Sequence, residues 1–188
     1  MVEIRIHGRG GQGAVIASKV LANAFFLEDK FVQAFPAFGV ERRGAPVVAF
    51  SRVDASPILL RCEIYNPDHL IVLDSALTET IDITSGLKKG GWIIINSHKK
   101  PEDFPYVDDY RVAVVDANEI AWKHKLGSRA TPIVNTAILG AFAKSTGLVQ
   151  LDSVVQAVLD AVPVNPDGNK QATIDAFNQT VIFDPAPA

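Results

Sequence analysis

The spacing of apolar positions changes within the first thirty residues of the chain. Val2–His7 alternates apolar with polar side chains and predicts a half-buried strand. From Gln12 to about Asp29, after a cluster of glycines, apolar residues recur every three or four positions and predict an amphipathic helix. The chain therefore begins with a strand, a glycine turn and a helix, in that order.

Further along, three short segments are almost continuously apolar. This pattern is typical of parallel strands that are covered on both faces. Two more apolar segments, Val47–Val53 and Ile58–Leu60, are joined by a turn-forming stretch and predict an inserted hairpin. The three buried strands are predicted at His69–Asp74, Trp92–Ile95 and Arg111–Asp116, and a half-buried strand at Phe31–Phe35.

Helical spacing returns in the second half of the chain. Asp152 is a candidate N-cap there, and Gly127 and Gly147 are candidate helix ends. Alternating strands and helices predict an α/β fold with a doubly wound, mostly parallel, Rossmann-like sheet and a helical C-terminal segment. We expect a single domain over 1–183 and a frayed tail over 184–188. The helices are predicted at Ala117–Leu126, Ile133–Lys144, about Ser153–Val162 and Lys170–Val181.

Composition and charge exclude several classes of protein. The chain has 188 residues, 48% of them hydrophobic and 21% charged, and a net charge of −3, so it offers no basic field for nucleic acid or for an anionic membrane. Cys62 is the single cysteine, which excludes an intrachain disulfide and an iron–sulfur cluster held by this chain alone. The start of the chain lacks a signal-peptide pattern, so we expect a cytoplasmic protein without a membrane partner.

The glycine turn, Gly8–Gly13, fits the pattern G-x-G-x-x-G between a strand and a helix. Its backbone N–H groups and the helix N-terminus suit a phosphate group, and Arg9 adds a charged donor. A dinucleotide site would need an acidic residue at the end of the second strand, where Gln33–Pro36 supplies none. A Walker loop is disfavoured because no lysine and no hydroxyl follow Gly13. A tight turn that binds nothing is the remaining alternative.

A second unusual stretch, Phe35–Pro46, combines glycines, aromatic rings and the sequence Glu41-Arg42-Arg43. It could be a solvated turn. Together with Gly8–Gly13 and with Asn135–Ala141, however, it resembles the gamma subunit, or gamma domain, of pyruvate:ferredoxin oxidoreductase and related 2-oxoacid oxidoreductases. The resemblance covers roughly residues 4–183, nearly the whole chain.

The resemblance implies a multisubunit enzyme that converts a 2-oxoacid, with a lean to pyruvate, and coenzyme A into acyl-coenzyme A and carbon dioxide, and passes electrons to ferredoxin. It implies that thiamine diphosphate and the iron–sulfur clusters are carried by partner subunits, namely alpha, beta and a ferredoxin-like delta. The gamma module of this family is associated with coenzyme A. No residue of this chain is predicted to be catalytic, and four scattered histidines predict no metal site.

The residues suited to the phosphate groups of coenzyme A lie in three places along the chain. Glu41 is expected to orient an arginine. Asn135 and Thr136, in the first turn of a helix if it starts at Pro132, could face the ligand, or instead solvent or a partner subunit. Two alternatives stay open: a free-standing NAD(P)- or flavin-dependent dehydrogenase, and a non-catalytic nucleotide-binding regulatory module. The predicted contacts are Arg9, Gly10, Gly11, Gln12, Gly13, Arg42, Arg43, Gly44, Asn135 and Thr136.

Overall fold

The computed structural model describes residues 1–37 and 44–185. In these residues, six strands and two helices precede four consecutive helices and a last short strand, with a 3₁₀ turn at Pro101–Asp103. The strands are β1 (Val2–Arg9), β2 (Phe31–Pro36), β3 (Pro46–Asp54), β4 (His69–Val72), β5 (Trp92–Asn96), β6 (Arg111–Val115) and β7 (Val181–Phe183). The helices are α1 (Ala14–Phe26), α2 (Leu77–Thr80), α3 (Ala117–Lys123), α4 (Ala137–Thr146), α5 (Leu151–Ala161) and α6 (Pro166–Gln179).

The strands form one seven-stranded sheet in the order β2-β3-β1-β4-β5-β6-β7. The central strands β1, β4, β5 and β6 are parallel, whereas β3 and β7 run antiparallel to their neighbours. Because β2 is antiparallel to β3, it runs in the same direction as β1. The predicted α/β fold is confirmed, and the three near-continuous apolar segments are its buried parallel strands.

The two faces of the sheet are covered differently. On one face, alternate residues of the strands, such as Ile6, Ile71 and Ile94, pack against α1 and α3–α6 in one large core. On the other face, Val72, Ile95 and their neighbours pack against α2 and the loops around it. The helices thus lie mainly on one side, and both faces of the central strands are buried.

The predicted pairing of Val47–Val53 with Ile58–Leu60 was wrong, and the inserted hairpin has a different pair of strands. Ile58–Leu60 is not a strand; the hairpin is formed by β2 and β3. The carbonyl oxygens of Ile58 and Leu60 accept bonds from Gln33 Nε2, at 3.2 and 3.0 Å. A side chain, and not a neighbouring strand, therefore satisfies these carbonyl groups.

Several helix boundaries also differ from the predicted ones. α4 begins at Ala137 and not at Ile133, and α5 has Gln150 as its N-cap, so the assignment of Asp152 as N-cap was wrong. Gly147 ends α4 in the left-handed conformation, as predicted. Gly127 does not end α3, because His124 is already the C-cap of that helix. β7 was missed: this three-residue strand begins at Val181, where the last helix was predicted to end.

At Gly140 the backbone of α4 lies close to the backbone of α6. A methyl group at this position would meet the carbonyl oxygen of Thr173, and Phe177 N would lie 3.0 Å away. Both neighbours are backbone atoms that cannot move independently of their helix. We expect Gly140→Ala to lower the free energy of unfolding by about 1–3 kcal/mol, as overpacking does in other cores. Urea unfolding would measure this loss, and an unchanged midpoint would contradict it.

Candidate functional site

The glycine loop and the described residues that flank the second loop lie together at the edge of the sheet where the parallel strands end. Gly10 N donates to Ala45 O at 2.9 Å, and Gly44 N donates to Gly10 O at 3.1 Å. The pairing continues the β1–β3 ladder, in which Arg9 lies opposite Pro46. The sequence-based expectation that the two loops share one edge is therefore met by the residues that flank the second loop.

A cleft of about 880 Å³ lies at this edge. One wall is the glycine loop with Gly44 and the first turn of α1, where Ile16 is half exposed. The opposite wall is the segment from Gly127 to Asn135, together with Asn118. Glycines in one wall leave the backbone accessible, so a ligand in the cleft can approach main-chain N–H groups closely.

The N-terminus of α1 opens into this cleft. Its N-cap, Gly13, has φ 80° and no side chain to cap the helix. Within the described part of the chain, no acceptor bonds the backbone N–H groups of Gly11, Gly13, Ala14 or Val15. Free N–H groups and the positive end of the helix dipole favour an anion at this point.

Arg9 and Gln12 are held within the protein. Arg9 Nε donates to Asp74 Oδ2 at 2.8 Å, and Arg9 Nη1 donates to Gly44 O at 3.2 Å. Gln12 Oε1 accepts from Arg9 N at 2.7 Å, and Gln12 Nε2 donates to Asp74 Oδ2 at 3.3 Å. Gln12 thus stabilises the loop, while Arg9 still lines the cleft with the N–H groups that these bonds do not use.

Of the predicted polar pair, the structure brings only Asn135 to the cleft. Its side chain is 5% exposed, and its Nδ2 lies 3.5 Å from Gly13 O, while its buried Oδ1 has no partner among the described residues. Thr136 faces away: it is buried, and its hydroxyl donates to Asn169 Oδ1 at 2.8 Å. Thr136 joins α4 to α6 and does not line the cleft.

A model of the pyruvate ferredoxin/flavodoxin oxidoreductase family matches residues 3–179.

The chain belongs to this family.

The common gamma subunit of the pyruvate and ketoisovalerate oxidoreductases of Thermococcus kodakarensis is 50% identical over 188 residues, which cover 98% of this chain and 100% of the relative. Pyruvate oxidoreductase subunit PORC from Thermotoga maritima, a crystal structure, is 33% identical with a TM-score of 0.80, and the match covers 97% and 98% of the two chains. The chain is accordingly a gamma subunit of a multisubunit 2-oxoacid:ferredoxin oxidoreductase.

A more distant likeness extends the fold to a longer enzyme. The 2-oxoglutarate:ferredoxin oxidoreductase of Magnetococcus marinus has a TM-score of 0.72 at 16% identity, and the match covers 95% of this chain but 30% of that one. Its structure contains 2-oxoglutarate, coenzyme A and succinyl-CoA. At this identity the likeness concerns the fold alone.

The topology of the gamma subunit disfavours the dinucleotide alternative. In a dinucleotide-binding fold, the acidic residue that holds the ribose ends the strand beside β1. Here the antiparallel strand β3 lies between β1 and β2, so the end of β2 is not next to the glycine loop. The end of β2 is therefore in the wrong position for such a contact, and Gln33–Pro36 lacks an acid. The acid that does lie beside β1, Asp74 after β4, has its carboxylate bonded to Arg9 and Gln12.

Sequence reasoning missed Asn118 and Ile16, which line the cleft, and Asp74, whose carboxylate accepts a hydrogen bond from Arg9. Asp74 had a signal, since it follows a buried parallel strand at the edge where ligands collect. The segment from Gly127 to Pro132 had none, because it enters the cleft only through the fold. Arg42 and Arg43, which the sequence assigned to a second anionic group, and Glu41 lie outside the described residues.

His7 lies in β1, just before the glycine loop, but it does not line the cleft. Burial, assisted by the positive charge of Arg5, lowers the pKa of His7 to about 3. Its Nε2 accepts from Arg5 Nε at 3.1 Å. His7 is therefore neutral at physiological pH and acts as a buried acceptor that supports the strand, not as an acid or base for a ligand.

In the described residues, no helix is long and apolar enough to cross a membrane, and no cluster of three metal-binding side chains occurs. Cys62 is exposed.

Proposed function

We propose that this gamma subunit binds the phosphate groups of coenzyme A in the cleft beside the glycine loop. The observation that carries the proposal is the uncapped N-terminus of α1, whose free N–H groups open into a cleft of about 880 Å³. Coenzyme A has a diphosphate and a ribose phosphate, and such anions bind well at helix N-termini. A binding role fits the residues better than a catalytic role, since they offer donors and no poised acid, base or nucleophile.

The residues of the cleft divide between direct contact and support. Gly11, Gly13 and the first turn of α1 offer backbone donors, and Arg9 offers the guanidinium N–H groups that Asp74 and Gly44 do not use. Asn135 supports the loop through the contact of its Nδ2 with Gly13 O. Arg42 and Arg43 stay in the proposal as donors to a second anionic group, on the strength of the sequence resemblance alone.

The reactive centre is assigned to other subunits. With Cys62 as its single cysteine, this chain cannot supply the four thiolates of a typical iron–sulfur cluster. We assign thiamine diphosphate and the clusters to alpha, beta and ferredoxin-like delta subunits, with ferredoxin as electron acceptor and the cytoplasm as location. The Magnetococcus marinus enzyme, 30% of whose chain matches this fold, contains coenzyme A in its structure. Pyruvate is the proposed substrate of the assembled enzyme.

A charge placed in the cleft tests the proposal. Ile16 is half exposed in the first turn of α1, where a glutamate is compatible with the helix dipole. In the assembled enzyme, Ile16→Glu should raise the KM for coenzyme A roughly tenfold over Ile16→Gln, because repulsion of a nearby phosphate costs about 1–2 kcal/mol. The KM for the 2-oxoacid should be the same in both variants.

Ile16→Gln is the matched control, since it has nearly the same size and polarity without the charge. Equal KM values for coenzyme A in the two variants would contradict a phosphate site at this helix. An equal rise in both KM values would indicate a general defect of the assembled enzyme.

A further inference from the structure

Asp74 lies where the glycine loop meets the next parallel strand. It follows β4, which pairs with β1, so its carboxylate is beside the end of β1. Its Oδ2 accepts from Arg9 Nε at 2.8 Å and from Gln12 Nε2 at 3.3 Å, and its Oδ1 accepts from Ala76 N at 3.0 Å. One carboxylate therefore holds both long polar side chains of the loop.

Through further hydrogen bonds, these two side chains also fix the backbone of the glycine loop and its contact with Gly44. Gln12 Oε1 accepts from Arg9 N at 2.7 Å, which closes the glycine turn on itself. Arg9 Nη1 donates to Gly44 O at 3.2 Å, which ties the glycine loop to the end of the second loop. The orientation of the Arg9 guanidinium depends on Asp74 at one side and on Gly44 at the other.

A carboxylate beside an anion site repels the anion, so the presence of Asp74 needs another explanation. The side chains of Arg9 and Asp74 are 29% and 24% exposed, and ion pairs this accessible contribute little to stability. Stability therefore does not explain Asp74 well. Orientation does, because a guanidinium that is already held loses less entropy when it binds a phosphate.

We propose that Asp74 is a positioning residue for coenzyme A: it aims Arg9 into the cleft and does not itself touch the ligand. This inference rests on the proposed coenzyme A site. It predicts that a change at Asp74 affects the requirement for coenzyme A and leaves the folded chain nearly as stable as before.

The test compares Asp74→Asn, Asp74→Glu and the matched control Ser75→Ala in the assembled enzyme. Asp74→Asn removes the charge, and its amide accepts hydrogen bonds through one oxygen only. The KM for coenzyme A should therefore rise roughly tenfold, as expected for loss of one charge-assisted bond. The KM for the 2-oxoacid and the urea midpoint should stay unchanged. Asp74→Glu should recover most of the affinity, and Ser75→Ala should match the unmodified enzyme.

The inference is overturned if Asp74→Asn leaves the KM for coenzyme A unchanged or lowers it, since a lower KM would mean that the carboxylate only repels the ligand. It is also overturned if Asp74→Asn changes the KM for coenzyme A and the KM for the 2-oxoacid equally, or if it shifts the urea midpoint. If Ile16→Glu raises the KM for coenzyme A and Asp74→Asn does not, the proposed site is supported and the proposed role of Asp74 is wrong. If neither variant weakens coenzyme A, the site and the role of Asp74 are both wrong.

Discussion

Arg52→Ala is expected to lower the free energy of unfolding by about 3–5 kcal/mol, the usual cost of removing one partner from a buried ion pair. The side chain of Arg52 is 1% exposed, and its Nε lies 2.9 Å from Glu3 Oε1, whose side chain is 15% exposed. Without Arg52, the carboxylate of Glu3 stays largely buried without its counter-charge. Urea unfolding of the chain measures the loss.

The same guanidinium also attaches the irregular segment after β3 to the sheet. Arg52 Nη2 donates to Glu63 O at 3.2 Å, and the guanidinium carbon lies 5.3 Å from the ring centre of Phe35. Since the cost comes mainly from the unpaired charge, Arg52→Met combined with Glu3→Gln should lose less stability than Arg52→Met alone. Equal losses in those two variants would mean that packing, not charge, explains the effect.

Gly13→Ala is expected to raise the KM for coenzyme A in the assembled enzyme by more than about tenfold, because the added methyl group must displace atoms that border the proposed phosphate site. Gly13 has φ 80°, and an added methyl group would meet Asn135 Nδ2 and lie 3.1 Å from Asn135 Cγ. Relief of that clash must displace the start of α1 or Asn135, and both border the proposed phosphate site. Steady-state kinetics with each substrate varied in turn would show the effect.

Gly147→Ala is the control for backbone strain. Gly147 also has a positive φ, 61°, but an added methyl group would meet no atom within 4 Å, and the residue ends α4 at the end opposite Asn135. We expect this variant to lose stability without a change in the KM for coenzyme A. If Gly147→Ala weakened coenzyme A as much as Gly13→Ala does, a general loss of stability would explain both results.

The strands and the loop motif could be predicted because their signals are local. The near-continuous apolar run His69–Asp74 indicates a covered strand regardless of its neighbours, and structure places β4 at His69–Val72. Gly8–Gly13 carries its own turn chemistry, and the helix that follows begins at Ala14. In contrast, Ile58–Leu60 has the composition of a strand, but in the folded chain its carbonyl groups accept from the side chain of Gln33 and not from a neighbouring strand.

Local pattern was enough to establish the α/β class and the position of the glycine turn between β1 and α1. The count of one cysteine was enough to show that a cluster bound by four cysteines must be held elsewhere. Such properties depend on residues that are near one another in sequence or on simple counts. The cleft depended on tertiary contacts. Arg9 meets Asp74 across 65 positions, and Asn135 meets Gly13 across 122. Hydrogen bonds between such distant residues leave no periodic signal, because they form only after the sheet order brings the strand ends and the start of α4 together.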